Sequence, residues 1–490
     1  MSRAEWVAGA IALVLAVLHQ VLLPNSGTDL AAQLARASFA RDAPLTPVDL
    51  SWYGGVHPYG YSLLTPWLMA GIGVALSGIV AAVLGAVLLA RLLRGLQHPV
   101  LAGAAGALFS VADVVSGRTT FALGAVALLG ALLCRERRPW AVFFAVLTAL
   151  LSPVAAAFLG FCAAVLVLHR RPGGWTLGIA TTVPVVLLGV LFPSGGVQPF
   201  SVGSAVPALI VTAGLALLTR HPLVRTGAVL YFFAILLFLG HADPFGSNVL
   251  RLGMLIAAPL ALATTHRGAL LTAALVAGCL YWQVDPLQGD LMASPGPGLR
   301  DVTAELVSLD AMRVEVVAPR EHRESWRVAE RVPLARGWGR QVDYRDNRLF
   351  YTGTLTAEKY VDWLHAQGVD HVALPRRATI DFGGTREAKL LRKPVPGLTQ
   401  IWQDRDWTVW AVDLPTPLAS APASVVASTR TDLTVRVPGA ARVHVLLRWS
   451  RWLSVSGPAC IARSGDQVEL RFTGPGVAVI GSGLRPRGHC

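Results

Sequence analysis

Apolar residues dominate the chain in long runs up to residue 284, and polar residues between them come in short clusters. The runs cover 6–23, 74–92, 98–114, 119–134, 138–150, 153–168, 174–192, 204–219, 223–239, 249–265 and 268–284. Runs of this kind read as helices, although a perpendicular crossing of hydrocarbon takes about 20 residues and several are shorter. The stretch 138–168 is one long helix or a tight hairpin at Ser152-Pro153. Pro153 cannot continue helical hydrogen bonding, which favours the hairpin. Beyond the runs, Pro286, Gly289, Pro295, Gly296, Pro297 and Gly298 mark 286–300 as a linker. Strand patterns at 313–319 and 371–375 then alternate with helical ones at 322–331 and 355–367. From about residue 400, period-2 alternation takes over, at 407–412, 424–437, 442–448, 467–472 and 477–480.

The expected fold class is therefore an α-helical polytopic membrane bundle of about eleven transmembrane helices followed by a C-terminal region of α/β and β-sandwich type. The expected domains are a transmembrane domain over 1–285, the linker, an α/β region over 301–400 and a β-sandwich-like region over 401–490. The run at 6–23 is followed by no small-residue cleavage site and is expected to be a retained first helix.

Composition supports two regimes in one chain. Of 490 residues, 53% are hydrophobic and 14% charged, against about a quarter charged in an average soluble protein. Of the 29 Asp and Glu residues, only seven precede residue 284: Glu5, Asp29, Asp42, Asp49, Asp113, Glu136 and Asp243. The net charge of +13 does not point to nucleic acid. Its membrane-half share sits in clusters between apolar runs, where it sets topology: Arg91/Arg94/His98, Arg135/Arg137/Arg138, His169/Arg170/Arg171, Arg220/His221/Arg225 and His266/Arg267. With the hairpin at Ser152-Pro153 and the N-terminus inside, every cluster falls on the inner side. The C-terminal region is then extracytoplasmic. Cys460 and Cys490 are both in that region and can pair in an oxidising compartment. No metal-binding spacing of His and Cys appears, and no metal or other cofactor is expected.

The first outer loop, 24–73, carries the candidate chemistry. It reads Pro24-Asn25-Ser26-Gly27-Thr28-Asp29, then a short amphipathic helix over 29–39, then Ser51-Trp52-Tyr53-Gly54-Gly55-Val56-His57-Pro58-Tyr59. An acid directly after the first membrane helix, a surface helix and a His-Pro-aromatic segment before the second membrane helix form an arrangement that resembles the GT-C superfamily of membrane glycosyltransferases. The tail segments Arg331-Val332-Pro333-Leu334-Ala335-Arg336-Gly337-Trp338, Asn347-Arg348-Leu349-Phe350-Tyr351 and Tyr360-Val361-Asp362-Trp363-Leu364 look like those of actinobacterial membrane proteins of this broad type. The resemblance covers the helical half and the general plan of an outer C-terminal domain.

The resemblance implies a polyprenyl-phosphate sugar as donor, an envelope glycan or glycolipid as acceptor, and the bilayer as the medium. The residue bias toward Ala, Val, Leu, Gly and Arg fits a high-GC bacterium, a setting in which arabinose and mannose donors occur. The matching position for the catalytic base is Asp29, which as a residue could equally cap the surface helix. Asp113, followed by Ser116-Gly117-Arg118, is a second catalytic candidate or half of an interfacial charge pair. Arg251, Arg118 and His57 are candidates for the donor phosphate, Arg251 at the outer start of a helix. For Arg251 the bland reading is an interfacial anchor, and for His57 a turn role in His57-Pro58. Trp52, Tyr53, Tyr59 and Asn248 are candidates for binding substrate, although interfacial aromatic belts account for the rings as well. Trp449 and Trp452 could meet carbohydrate but fit the core of a sandwich. Two other classes remain open: a non-catalytic assembly protein of envelope biogenesis, and a transporter or flippase. The latter would show internal pseudo-symmetry and charges at mid-membrane depth, and neither is visible.

Overall fold

The computed structural model describes residues 1–23, 27–291 and 296–490. The loop residues 24–26 and linker residues 292–295 singled out above lie outside the described residues. Two compact units interleave along the chain. The first comprises Met1–Gln33, Gly60–Ala293 and Arg340–Tyr344; the second comprises Leu34–Tyr59, Ser294–Gly339 and Arg345–Cys490. Most of the first outer loop thus folds as part of the second unit.

The helices up to residue 291 are α1 (Arg3–Leu22), α2 (Leu30–Asp42), α3 (Pro58–Tyr61), α4 (Thr65–Ile72), α5 (Val74–Leu92), α6 (Pro99–Val115), α7 (Thr119–Leu133), α8 (Arg138–Leu151), α9 (Pro153–Leu168), α10 (Gly174–Leu191), α11 (Val202–Leu218), α12 (Pro222–Gly240), α13 (Leu250–Thr264) and α14 (Ala269–Leu291). Each apolar run of the sequence is one of these helices. Among the described residues, five helical stretches are long and apolar enough to cross a membrane: α1, α5, α10, α12 and Gly246–Thr264. The other six apolar stretches are shorter, namely α6, α7, α8, α9, α11 and the Ala269–Val284 part of α14; α8, at 14 residues, is about 21 Å long against a hydrocarbon core of about 30 Å. The uncovered helix faces are apolar. On α10, Trp175, Ile179, Val183, Val186 and Val190 form an exposed stripe at helical spacing, with Trp175 72% exposed. A water-soluble surface rarely leaves so much apolar area open.

Local chemistry sets the helix ends. Ser2 and Glu5 form a capping box that starts α1. Ser152, in extended backbone, accepts from the Ala155 N–H at 3.3 Å and starts α9, with Pro153 in its first turn. Residues 138–168 are therefore two helices. Helix α14 runs to Leu291, through the first six residues of the stretch expected as linker.

Contacts between connecting segments sort the helix ends of the first unit into two sets. Gln97 N–H donates to the Ala263 carbonyl, Arg220 N–H to that of Thr264, and His169 Nε2 lies 2.8 Å from Thr226 Oγ1. A Cβ on Gly173 would meet the Arg135 carbonyl, and one on Gly103 that of Ala4. The basic connections and the N-terminus therefore share one end. At the other end, Leu63 and Leu64 N–H donate to the Leu150 carbonyl, Gln198 N–H to that of Asp243, and Asp29 N–H to that of Ser116.

In the second unit, helices α15 (Arg300–Ser308), α16 (Glu324–Arg327), α17 (Arg340–Asp346, shared with the first unit), α18 (Ala357–Gln367) and α19 (Thr385–Leu391) accompany a mixed sheet. Its strands are β1 (Val314–Val316), β2 (His371–Pro375), β3 (Leu398–Gln403) and β4 (Trp407–Val412), in the order β1-β2-β4-β3. Strands β1 and β2 are parallel and the other pairs antiparallel. Since Ala373 pairs with Val409, the sheet of the α/β part extends past residue 401 to Val412.

The remaining strands are β5 (Ser424–Ser428), β6 (Leu433–Val437), β7 (Ala441–Arg448), β8 (Leu453–Ser456), β9 (Ala459–Ser464), β10 (Gln467–Phe472) and β11 (Gly476–Ser482). They make a three-stranded sheet, β7-β10-β9, and a four-stranded one, β5-β6-β11-β8. Inward residues of both, such as Val435, Val445, Leu470 and Ile480, build one core, and Val48 and Leu50 of the first loop enter it. Trp449 and Trp452 pack against that core. The disulfide Cys460–Cys490 ties the last residue to β9.

Candidate functional site

The site of interest lies where α1 hands over to α2, in the first unit. Gly27 has φ +102°, and a Cβ there would come within 2.6 Å of the Val115 carbonyl oxygen. Gly117 has φ +75°, and its Cβ would come within 2.3 Å of the Leu30 nitrogen. Only glycine allows these two backbones to approach so closely. The result is a lock: Asp29 N–H donates to the Ser116 carbonyl at 3.2 Å, and Asp29 stands beside the α6–α7 turn.

That turn carries Arg118 and follows Asp113. Arg118 Nε lies 3.7 Å from Asp29 Oδ2, and Arg118 Nη1 lies 3.9 Å from Asp113 Oδ1. From the start of α13, Arg251 Nη2 reaches the same Asp29 Oδ2 at 3.2 Å. Its guanidinium also stands over the Phe121 ring, 5.8 Å from the centroid. Asp29, Asp113, Arg118 and Arg251 thus form one cluster, built from residues 222 positions apart in sequence. The Arg118 Nε atom is buried and has no hydrogen-bond acceptor within reach. A buried donor without an acceptor is unusual, and this one stands 3.7 Å from the nearest carboxylate oxygen.

Supporting residues fix the cluster. Tyr231 on α12 donates to the Val249 carbonyl and accepts from the Gly253 N–H at 3.0 Å, so it brackets Arg251 from both sides. Asp290 on α14 accepts from the Thr28 N–H at 3.0 Å. Gln33, fully buried, takes a 2.6 Å bond from the Thr120 hydroxyl, one turn beyond Asp29 on one element and two residues beyond Arg118 on the other. None of Tyr231, Asp290 or Gln33 stands out in the sequence. Tyr231 is one aromatic in an apolar run, and Asp290 follows Pro286 and Gly289 in a stretch with linker composition. The only sequence cue to Gln33 is its spacing of four residues from Asp29.

The other sequence candidates have separate places. Asn248 is buried in the 3₁₀ turn Gly246–Val249 that leads into α13. Asp243 caps that turn, accepting from the N–H groups of Phe245 and Gly246. Trp52, Tyr53, His57 and Tyr59 belong to the second unit. There Trp52 Nε1–H donates to the Ser325 carbonyl, Tyr53 OH donates to that of Gly337, and His57 Nε2 lies 2.8 Å from Ser450 Oγ. Trp52 and Tyr53 are buried.

A second set of buried charges lies in the α/β part of the second unit. Arg336 reaches Glu315 at 2.7 Å and also Glu387, which accepts from the Tyr360 hydroxyl. His322 stacks on Trp338 between Glu324 and Asp381. Burial disfavours its charged form, but the two carboxylates outweigh burial and raise its pKa to about 9. Among the described residues, no group of three or more His, Cys, Asp and Glu could hold a metal ion.

The Asp29 cluster can do two things at once: accept a proton at the carboxylate and hold an anion at the guanidiniums. No protein-family model matches this chain, and no curated protein matches it either.

Proposed function

We propose that the chain is a GT-C-type membrane glycosyltransferase that moves a sugar from a polyprenyl phosphate to an envelope glycan or glycolipid, with inversion. The observation that carries the reading is the single carboxylate oxygen of Asp29 shared by Arg251 and Arg118. In this reading Asp29 takes the proton of the acceptor hydroxyl, and the acceptor oxygen attacks the anomeric carbon. The bond from that carbon to the phosphate oxygen breaks, and Arg251 and Arg118 stabilise the charge that develops there. Asp113 holds Arg118 in place. Arabinose and mannose are the donor sugars proposed, with no metal or other cofactor in the step.

In the same reading all eleven apolar helices cross the membrane, the shorter ones in locally thinned bilayer. Gathering of the basic connections at one end supports a cytoplasmic N-terminus, with Asp29 and the C-terminal unit on the outer side. The Cys460–Cys490 disulfide supports the same orientation, because such bonds persist in oxidising compartments.

Lipid and glycan analysis of a deletion strain tests the proposal. Accumulation of a polyprenyl-phosphate sugar together with a glycan or glycolipid lacking that sugar is the expected result. An unchanged envelope with unchanged lipid-linked sugars would count against it.

A further inference from the structure

The charge balance of the cluster has a consequence for how a product leaves. Two guanidiniums, Arg118 and Arg251, face two carboxylates, Asp29 and Asp113. Asp290 is the further acid at this point, bonded to the Thr28 N–H beside Asp29. Helix α2 adds no charge nearby, since residues 30–35 are Leu, Ala, Ala, Gln, Leu and Ala. With Asp29 ionised, the cations are already neutralised, and an arriving anion must compete with the carboxylate for them.

We infer that Asp29 and the leaving phosphate compete for the same two guanidiniums, so that the lipid phosphate departs only once Asp29 has lost the proton taken from the acceptor. This rests on the transfer reading above. In the step, a bond forms between acceptor oxygen and anomeric carbon, the bond from that carbon to the phosphate oxygen breaks, and the acceptor proton passes to Asp29. The carboxylate goes from one negative charge to none, while the phosphate goes from one to two. Negative charge therefore leaves one partner of Arg118 and Arg251 as it appears on the other. The guanidiniums follow it, because charge-assisted bonds are the strong ones. When Asp29 ionises again, it reclaims them and weakens the hold on the lipid phosphate. By linkage, protonation of Asp29 and phosphate binding favour each other.

The test is equilibrium binding of undecaprenyl phosphate to the full chain in nanodiscs of zwitterionic lipid, with inorganic phosphate as a separate arm. Asp29→Asn is expected to bind the lipid at least ~10-fold tighter than the wild type. Asp29→Glu keeps the charge and is expected to bind as the wild type does. Arg251→Gln is expected to bind more weakly. An Asp29→Asn affinity equal to or below the wild type, with Asp29→Glu normal, overturns the competition. It does so even if Asp29→Asn abolishes sugar transfer, which would leave the transfer reading standing. Tighter binding by an Asp29→Asn protein that still transfers sugar at the wild-type rate overturns the transfer reading and with it the role in product release. Inorganic phosphate binding as tightly as the lipid overturns the assignment of the site to a lipid phosphate.

Discussion

Arg251 Nη2 donates to Asp29 Oδ2 at 3.2 Å, joining the start of α13 to the segment that follows α1. Both side chains are mostly covered, 17% and 25% exposed, in a chain with few acids before residue 284. A pair in such surroundings is rarely decorative. Desolvation strengthens its attraction but also makes each partner costly to leave alone.

Replacing Arg251 by Gln removes one of the two cations beside Asp29. Sugar transfer is expected to fall by ~10²-fold or more, in keeping with the loss of one donor at a developing oxyanion. Arg251→Lys should recover only part of the rate, because a point charge does not reproduce the planar fork. Initial rates with a radiolabelled lipid-linked sugar check this, and a full recovery by Lys would show that charge alone matters.

Tyr231 acts on the site through α13. Tyr231→Phe removes the donor to Val249 and the acceptor for Gly253, and should cost about 1–3 kcal/mol through those two buried backbone groups. It should also weaken binding of a polyprenyl phosphate, because Arg251 sits between the two bonded positions. Thermal unfolding and lipid binding, measured together on the same preparation, separate the two effects.

The pH dependence of stability should carry the mark of His322. Its pKa is about 9 in the folded protein, above the ordinary value of 6.5. The stability it contributes is therefore fully present below about 6.5 and is lost as pH rises through about 9. A shift of this size is worth on the order of 3 kcal/mol. His322→Gln should lower the melting temperature at pH 6 and flatten its decline between pH 7 and 9.5. A wild-type melting curve independent of pH across that window would exclude the imidazolium between Glu324 and Asp381.

Leu50 is 3% exposed in the core of the β-sandwich, although in sequence it lies between α1 and α5 of the helical part. Leu50→Ala should destabilise the second unit by about 2–5 kcal/mol. Proteolysis reads this directly: faster cleavage within 413–490 is expected, with the helical segments 74–291 unaffected.

How far the sequence reaches depends on the element. Apolar runs define the helices well, because the faces these helices leave open are apolar as well as the faces they pack together, so each helix is apolar along its length. Pro153 shows the break after α8 for a covalent reason. Strand limits are harder. Strand β4 falls where sandwich-like strand patterns take over, and only its pairing with β2 on one side and β3 on the other assigns it to the α/β sheet. The stretch 424–437 reads as one strand but turns at residues 429–432, where Thr429 N–H donates to the Asp432 carbonyl. Strands β8 and β9 flank Gly457-Pro458: β8 alternates but is only four residues long, and β9 shows little alternation. A helix over 322–331 shrinks to Glu324–Arg327, and His322 just before it is occupied by Glu324 and Asp381.

Site residues divide in the same way. Asp29 and Asp113 are legible because acids before residue 284 are few, and Arg118 and Arg251 because they stand outside the basic clusters between the apolar runs. Trp52, Tyr53 and His57 are near Asp29 in sequence, but proximity along a loop does not say which unit the loop joins. Here Val48 and Leu50 carry it into the sandwich core, and Trp52 bonds to Ser325. Asp290 is invisible for the opposite reason, since a Pro/Gly stretch conceals the last turns of α14.

The most direct measurement of the central claim is sugar transfer by the purified full chain in lipid, from a panel of labelled polyprenyl-phosphate sugars to an envelope acceptor extract, with the wild type and Asp29→Asn side by side. The expected result is transfer from at least one donor by the wild type, reduced ~10²–10⁴-fold in Asp29→Asn while the protein stays folded. Transfer of equal rate by both proteins, or none by the wild type from any donor in the panel, would contradict it.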